Sequence, residues 1–174
     1  MGFFGKLFGK GSQETVLRPT TLTVDATSVP RRIGYDPALV QNLLHDHTQL
    51  GLVYSQIGDA DQAGNLDEVR RLLAVFKSRL EAHVLAENVR FYNYLEQSIH
   101  DDATNTELMR GFRREMNEIV RQVLAFVRKY LASDLPPAAR RAFAVDYAAM
   151  REVLEHRFDS EEGHLYPLYQ PASH

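Results

Sequence analysis

His83 and Glu87 are the two side chains whose types and spacing point most directly to chemistry. Residues four apart project from the same side of an α-helix, one turn from each other. That side is otherwise apolar and carries Val69, Leu73, Phe76, Leu80, Phe91 and Tyr94. A buried imidazole and a buried carboxylate both need partners, and either a metal ion or a hydrogen-bonded network would provide them.

Ionisable side chains also interrupt the apolar stripes of the other predicted helices. His47 lies in the first stripe and Glu115 in the third, while His156 lies on a strip beside the main one of the fourth. Because a helix advances ~1.5 Å per residue and short connections keep neighbours aligned, counting from the turns places them near the level of His83 and Glu87. Metal ligation is one interpretation. The others are core histidines bonded to a carbonyl and a glutamate that reaches the bundle edge.

Composition restricts the kind of protein and the kind of site. With 174 residues and 44% hydrophobic content, the chain suits one well-buried core. The net charge of −3, with acids and bases interspersed, disfavours nucleic-acid binding. The absence of cysteine leaves His, Asp and Glu as metal ligands, and these suit iron, zinc or manganese. No apolar run spans a membrane and no secretory signal is evident, so we expect a cytoplasmic protein.

Four amphipathic stretches with short connections follow residue 34. The predicted helices run from Asp36 to about Gly58, from Asn65 to about Gln97, from about Thr104 to Leu131, and from the Pro136 turn to about Gly163. No strand pattern competes with this periodicity. The predicted fold is therefore all-α, an antiparallel up-down-up-down four-helix bundle with an extended N-terminal arm.

The N-terminal residues differ in character from the predicted bundle. We expect residues 1–34 to form a leader and extended arm, and residues 35–170 to form the bundle domain. Residues 2–10 combine lysines with an apolar set that is typical of a short amphipathic segment on a membrane surface or a partner protein. This set is Phe3, Phe4, Leu7 and Phe8. Glycines in the same stretch disfavour a stable helix, so a leader that packs on the body is the alternative.

Three motifs together resemble those of a known family. They are Leu43-Leu-His-Asp-His47, His83-Val-Leu-Ala-Glu87 with Asn-Val-Arg-Phe-Tyr after it, and His156-Arg-Phe-Asp-Ser-Glu161-Glu-Gly-His-Leu-Tyr-Pro. Over about residues 36–170 the chain resembles the hemerythrin-like proteins, which have a four-helix HHE cation-binding domain. The resemblance implies a non-haem di-iron centre. Its implied ligands are His47, His83, the bridging Glu87, His156 and Glu161.

The third predicted helix departs from the family pattern. Hemerythrin-like proteins usually supply histidine ligands there, whereas residues 104–132 contain no histidine. Glu115, or Glu118 one turn later, stands where such a ligand would be needed. The resulting set is richer in carboxylates than that of the oxygen carriers, and this disfavours reversible oxygen binding more than metal binding. A site with one metal, a weak site and a lost site all stay open.

Two functional hypotheses of different classes follow. The first is a hemerythrin-like protein that binds non-haem iron, with zinc or manganese as alternatives, and senses, stores or handles oxygen, nitric oxide or iron. The second is a regulatory or interaction bundle without a working metal site, which docks a partner or a membrane through its N-terminal apolar segment. An enzyme such as an oxidase ranks last, because no dedicated base, nucleophile or substrate pocket is visible.

Overall fold

The computed structural model describes residues 33–99, 102–131 and 137–172. Apart from Ile33 and Gly34, the predicted arm lies outside these ranges, and so does the amphipathic segment at 2–10. The division of the chain near residue 34, and any membrane or partner contact of the leader, therefore stay predictions.

Every regular element among the described residues is helical. The elements are α1 (Leu39–Gln62), α2 (Leu66–Ala86), a first π-helical segment (Glu87–Tyr92), α3 (Asn93–Ser98), α4 (Ala103–Leu131), α5 (Pro137–Ser160), a second π-helical segment (Glu161–Leu165) and a 3-10 turn (Tyr166–Leu168). The elements from α2 to α3 form one continuous helix, and α5 continues into the second π segment. Together with α1 and α4, the described residues therefore form four long helices. The all-α prediction is confirmed, and the alternating direction of the helices stays a prediction. None of these described helices is long and apolar enough to cross a membrane.

The turn between α1 and α2 is built from residues suited to ending and starting helices. Gly64 has a φ of +71°, a left-handed conformation that costs glycine little and closes α1. The Asn65 side chain accepts a hydrogen bond of 3.2 Å from the Glu68 amide, as predicted for the cap of the second helix. This short connection brings α1 and α2 side by side.

Helix α1 continues past its predicted end near Gly58 and reaches Gln62. A glycine inside a helix costs only about 1 kcal/mol, which packing can outweigh. Here the neighbouring Ile57 is completely buried in the core. Gly58 is therefore a weak signal for a helix end, and α1 continues beyond it.

Two apolar clusters fill the interior, and a polar layer falls between them along the chain. One cluster includes Leu50, Leu80, Ile119 and Leu154, and the other includes Leu43, Phe91, Phe112 and Leu165. The buried polar residues at intervening positions are His47, His83, Glu87, Arg157 and Glu161. On α4 the buried residue between Phe112 and Ile119 is Met116. Three of the four helices thus contribute ionisable groups to this layer, and α4 contributes an apolar one.

A pair of tyrosines joins α1 to α5 within the larger apolar cluster. The Tyr54 hydroxyl donates to the Tyr147 carbonyl and the Tyr147 hydroxyl donates to the Tyr54 carbonyl, both at 2.8 Å. Their rings stack with centroids 4.5 Å apart. This reciprocal contact fixes the spacing of the two helices that carry His47 and Glu161.

Candidate metal centre

Two histidines face each other in the buried layer. His47 comes from α1 and His83 from the last turn of α2, and their Nε2 atoms lie 3.2 Å apart. Acidic side chains approach their outer nitrogens: Glu162 Oε1 lies 2.8 Å from His47 Nδ1, and Asp46 Oδ2 lies 3.6 Å from His83 Nδ1. The Glu162 carboxylate holds the proton on His47 Nδ1, which leaves the Nε2 lone pair of His47 directed inward, whereas His83 Nδ1 has no hydrogen bond.

Two buried carboxylates approach the same histidines. Glu87 and Glu161 are fully buried, and each is the first residue of a π-helical segment. Glu161 Oε2 lies 3.2 Å from His47 Nε2, and Glu87 Oε2 lies 3.9 Å from His83 Nε2. Neither Oε2 atom has a hydrogen bond of acceptable geometry, which is costly for a buried carboxylate. Donor atoms from two imidazoles and two carboxylates therefore converge in one region of the core.

Arg157 lies on the other side of Glu161 and is also buried. Its Nε and Nη2 atoms lie 2.6 and 2.5 Å from Glu161 Oε1. Nη2 also donates to the Tyr92 hydroxyl, and Nη1 donates to Glu115 Oε2, both at 3.1 Å. Because a guanidinium does not lose its proton in proteins, Arg157 is a permanent positive charge in the core. The two oxygens of the Glu161 carboxylate thus have different contacts: Oε1 binds Arg157, and Oε2 lies near His47.

Aromatic side chains surround the cluster. The Tyr166 hydroxyl donates to Glu87 Oε1 at 3.0 Å and lies 3.1 Å from His47 Nε2. Phe158 stacks on the His47 ring with centroids 4.1 Å apart, and Phe91 packs edge-on against Tyr166. These rings leave the polar atoms little access to water, which strengthens every electrostatic interaction among them.

Burial changes the proton affinities in the cluster. Burial, followed by the neighbouring His47 and Arg157, lowers the pKa of His83 to about 3, so its imidazole is neutral near pH 7. Burial and the Glu161 carboxylate raise the pKa of Glu87 well above its ordinary value. Burial and the charges of Glu87 and Glu161 raise the pKa of Tyr166. A neutral imidazole is the form that binds metals.

The donor set fits a metal ion. Ligand atoms of His47, His83 and Glu161 all lie within 4.8 Å of one another. Nitrogen and oxygen ligands bind zinc at about 2.0–2.2 Å, so two neighbouring ligands of one such ion lie roughly 2.8–3.6 Å apart for angles between about 90° and 110°. The Nε2 atom of His47 is 3.2 Å from both His83 Nε2 and Glu161 Oε2, which falls in this range. A cation there would also satisfy Glu161 Oε2, which lacks a hydrogen bond.

Comparison with known families agrees with the geometry. The sequence profile of the hemerythrin HHE cation-binding domain matches residues 38–169, a range that contains the whole cluster. The chain belongs to the hemerythrin HHE family. No curated protein and no solved structure matches the chain. The hemerythrin resemblance inferred from the sequence motifs is therefore confirmed.

The structure brings four of the predicted hemerythrin-type ligands together. His47, His83 and Glu161 are buried and come from three different helices, and the buried Glu87 lies beside His83 with Oε2 at 3.9 Å from its Nε2. The level of each residue along its helix predicted this convergence for His47, His83 and Glu87, and the family resemblance implied Glu161. Ligation of a metal by all four side chains stays a prediction.

His156, predicted as a hemerythrin-type ligand of the fourth helix, is placed outside the cluster. Its side chain is exposed, and the buried position next to it holds Arg157. The main apolar strip of α5 continues from Leu154 through Arg157 to Glu161, at spacings of three and four. His156 is one residue away, which on an α-helix is a rotation of ~100°. The fourth helix therefore contributes Glu161 and Arg157 to the layer rather than a histidine.

Glu115, predicted as a ligand from α4, also lies outside the cluster. Its side chain is 52% exposed and pairs with Arg157 Nη1 at 3.1 Å. The neighbouring Met116 occupies the buried position instead. Glu118, the alternative one turn later, is exposed and pairs with Arg121. The α4 side of the layer offers no buried carboxylate among the described residues, because Met116 rather than Glu115 fills the interior position between Phe112 and Ile119.

Sequence reasoning missed four residues that shape this hemerythrin-type site. Arg157 and Tyr166 lie inside it, while Asp46 and Glu162 support the two histidines from its edge. Arg157 could have been found by extending the α5 strip by one step beyond Leu154. Tyr166 was assigned only to the helix stop before Pro167, and no local signal distinguishes that role from a place in the core.

Proposed function

We propose that the protein binds iron at this cluster and uses it to sense, store or handle dioxygen, nitric oxide or iron itself. The observation that carries the proposal is the convergence of two imidazole nitrogens with two buried carboxylate oxygens that lack hydrogen bonds. One cation would satisfy the two imidazoles and Glu161 together, because their ligand atoms all lie within 4.8 Å of one another. Imidazole and carboxylate ligands without thiolates suit iron, manganese or zinc, and membership of the HHE family favours iron.

Each residue has a defined role in this proposal. His47, His83, Glu87 and Glu161 would hold the ion. Bound iron would supply the redox chemistry and the affinity for dioxygen or nitric oxide. The Tyr166 hydroxyl, which stays protonated near neutral pH because burial raises its pKa, donates a hydrogen bond to Glu87 and can hold a proton beside the ligands.

A surface depression supports access of ions and small molecules. It is lined by His47, Thr48, Glu155, Phe158, Asp159 and Glu162. The three carboxylates at its rim attract cations, and His47 lies at its inner end. Phe158, which lines this depression, stacks on the His47 ring.

A metal-free regulatory bundle is the second candidate function. It is favoured by Arg157, whose guanidinium already neutralises Glu161 without any metal. In this candidate the predicted leader, through Phe3, Phe4, Leu7 and Phe8, would contact a membrane or a protein partner. In either case we propose a cytoplasmic protein without a nucleic-acid partner, in keeping with its net charge of −3.

Metal analysis separates the two candidates. The full chain and its Glu87→Ala variant would be incubated with ferrous iron under nitrogen, freed of excess metal and analysed by mass spectrometry. The iron proposal predicts at least about one equivalent in the wild type and a large loss in the variant. Less than about a tenth of an equivalent in both would contradict it and favour the regulatory bundle. Addition of nitric oxide to the loaded wild type should then change its visible and electron paramagnetic resonance spectra.

A further inference from the structure

We infer that the Arg157 guanidinium takes the place of a second cation, so that this centre binds one metal ion rather than two. The inference rests on the proposed metal binding and defines its stoichiometry. It starts from a residue that no sequence motif singled out, a buried arginine that contacts Glu161, one of the two buried carboxylates that could otherwise join two ions.

The guanidinium is bound on three sides. Its acceptors are the Glu161 carboxylate, the Tyr92 hydroxyl and the Glu115 carboxylate, which come from three different helices. Its carbon also lies 5.0 Å from the centre of the Phe112 ring. A side chain held by these contacts does not move aside easily, because each contact would be lost together with its charge compensation.

The oxygen that a second ion would need is already occupied. A carboxylate bridges two ions by giving one oxygen to each, and both Nε and Nη2 of Arg157 contact Glu161 Oε1. Only Oε2 of Glu161 is free of hydrogen bonds. Glu115 is drawn to the same guanidinium and is half exposed. Arg157 thus binds carboxylate oxygens of Glu161 and Glu115 that a second ion would otherwise use as ligands.

Nothing on the α4 side replaces those ligands. Residues 104–132 contain no histidine, and Phe112 and Met116 fill the buried positions of α4 near the layer. A phenyl ring does not ligate such a cation, and the thioether of Met116 suits a soft ion such as Cu(I) better than the harder ions that carboxylates bind. A second ion would therefore have ligands from neither Glu161 Oε1 nor the described part of α4.

Charge balance leads to the same stoichiometry. Glu87 and Glu161 carry two negative charges when ionised, and Arg157 carries one positive charge that it does not lose. One divalent ion changes the sum from about −1 to about +1. A second divalent ion would raise it to about +3 in a low-dielectric core, beside a fixed positive charge. The buried arginine therefore favours one ion over two.

Metal stoichiometry tests the inference with a matched pair of variants. Arg157→His removes the guanidinium, frees Glu161 Oε1 and offers an imidazole one turn from Glu161. Arg151→His changes an exposed arginine of the same helix, whose partner is Glu155. Each full-length protein would be loaded with ferrous iron or manganous ion, desalted and analysed for metal per chain, with circular dichroism as the check on folding.

We expect about one ion per chain in the wild type and in Arg151→His, and an approximate doubling in Arg157→His. Manganese-loaded Arg157→His should also show the electron paramagnetic resonance of a spin-coupled pair, and the manganese-loaded wild type that of an isolated ion. About two ions in the wild type would overturn this inference while leaving metal binding intact. A folded Arg157→His that holds no more metal than the wild type would also overturn it. A wild type that binds no metal would refute the proposed function as well. If Arg157→His does not fold, the metal content of the wild type and its manganese electron paramagnetic resonance spectrum still distinguish one bound ion from two.

Discussion

Glu87 and Glu161 occupy equivalent places on two different helices, because each is the first residue of a π-helical segment and each carboxylate is fully buried. A π turn departs from regular α-helical hydrogen bonding, and such turns are frequent at functional sites. Here both departures begin at residues whose Oε2 atoms lack a hydrogen bond. The distortion of the backbone and the unsatisfied side chains thus identify the same two residues.

Replacing Glu87 by Gln should stabilise the metal-free protein near neutral pH. Burial and Glu161 raise the pKa of Glu87, so the stability that its protonated form contributes is fully present below its ordinary pKa of 4.5 and is lost as the pH rises through the folded pKa. Gln stays neutral throughout and can still accept from Tyr166. Its free energy of unfolding should exceed that of the wild type by about 1 kcal/mol or more at pH 7.

Urea unfolding of chelator-treated wild type and Glu87→Gln at several pH values measures this difference. The gap should close as the pH falls towards 4.5, where the wild-type carboxyl also becomes protonated. A gap that widens on acidification would show that Glu87 is stabilised as an anion. The same variant should bind metal more weakly than the wild type.

Removing the Glu162 side chain should weaken metal binding without unfolding the protein. Its carboxylate holds His47 Nδ1 at 2.8 Å, and such partners orient a histidine ligand and increase its basicity. Glu162→Ala should therefore lower metal affinity by about 10- to 100-fold, whereas Glu152→Ala, at an exposed position on α5, should not. Competition with a chromophoric chelator measures both. Equal affinities in the two variants would show that Glu162 does not support the site.

Local sequence patterns were enough to predict the four helices and three of the six proposed ligands. His47, His83 and Glu87 interrupt stripes that are otherwise apolar, and a polar residue on such a stripe is informative because its burial requires a partner. The Asn65 cap follows from the same kind of local rule. These features depend on residues that are neighbours along one helix.

His156 and Glu115 lie outside the cluster for a common physical reason. Adjacent residues on a helix differ by ~100°, so an apolar stripe alone does not decide which of two neighbours turns inward. Arg157 turns inward because the Glu161 carboxylate and the Tyr92 hydroxyl accept hydrogen bonds from its guanidinium. Met116 turns inward because it is apolar. The partners of Arg157 include a residue on another helix, and this information is absent from the local pattern.

Two glycines of α1 should respond in opposite directions to alanine. A Cβ at Gly58 would lie 2.7 Å from the Tyr147 hydroxyl oxygen and 3.0 Å from its ring, and that ring is held by its stacking and hydrogen bonds with Tyr54. Gly58→Ala should therefore destabilise the protein by about 1–2 kcal/mol. At Gly51 nothing lies within 4 Å of a Cβ, so alanine should stabilise the helix by about 0.5–1 kcal/mol.

Thermal and urea unfolding of the two alanine variants checks this pair. Both positions gain the same helix propensity, so the difference between them isolates the contact with Tyr147. If Gly58→Ala is as stable as Gly51→Ala, the tyrosine pair does not hold α1 and α5 at the distance described above.

Anomalous X-ray diffraction from crystals of the iron-loaded full chain tests the central claim most directly. Data collected on either side of the iron absorption edge locate the metal independently of any assumption about its ligands. The account predicts an anomalous peak within roughly 2.0–2.4 Å of His47 Nε2, His83 Nε2 and Glu161 Oε2. A loaded crystal with no peak among these three atoms, or with iron bound only at the surface, would contradict it.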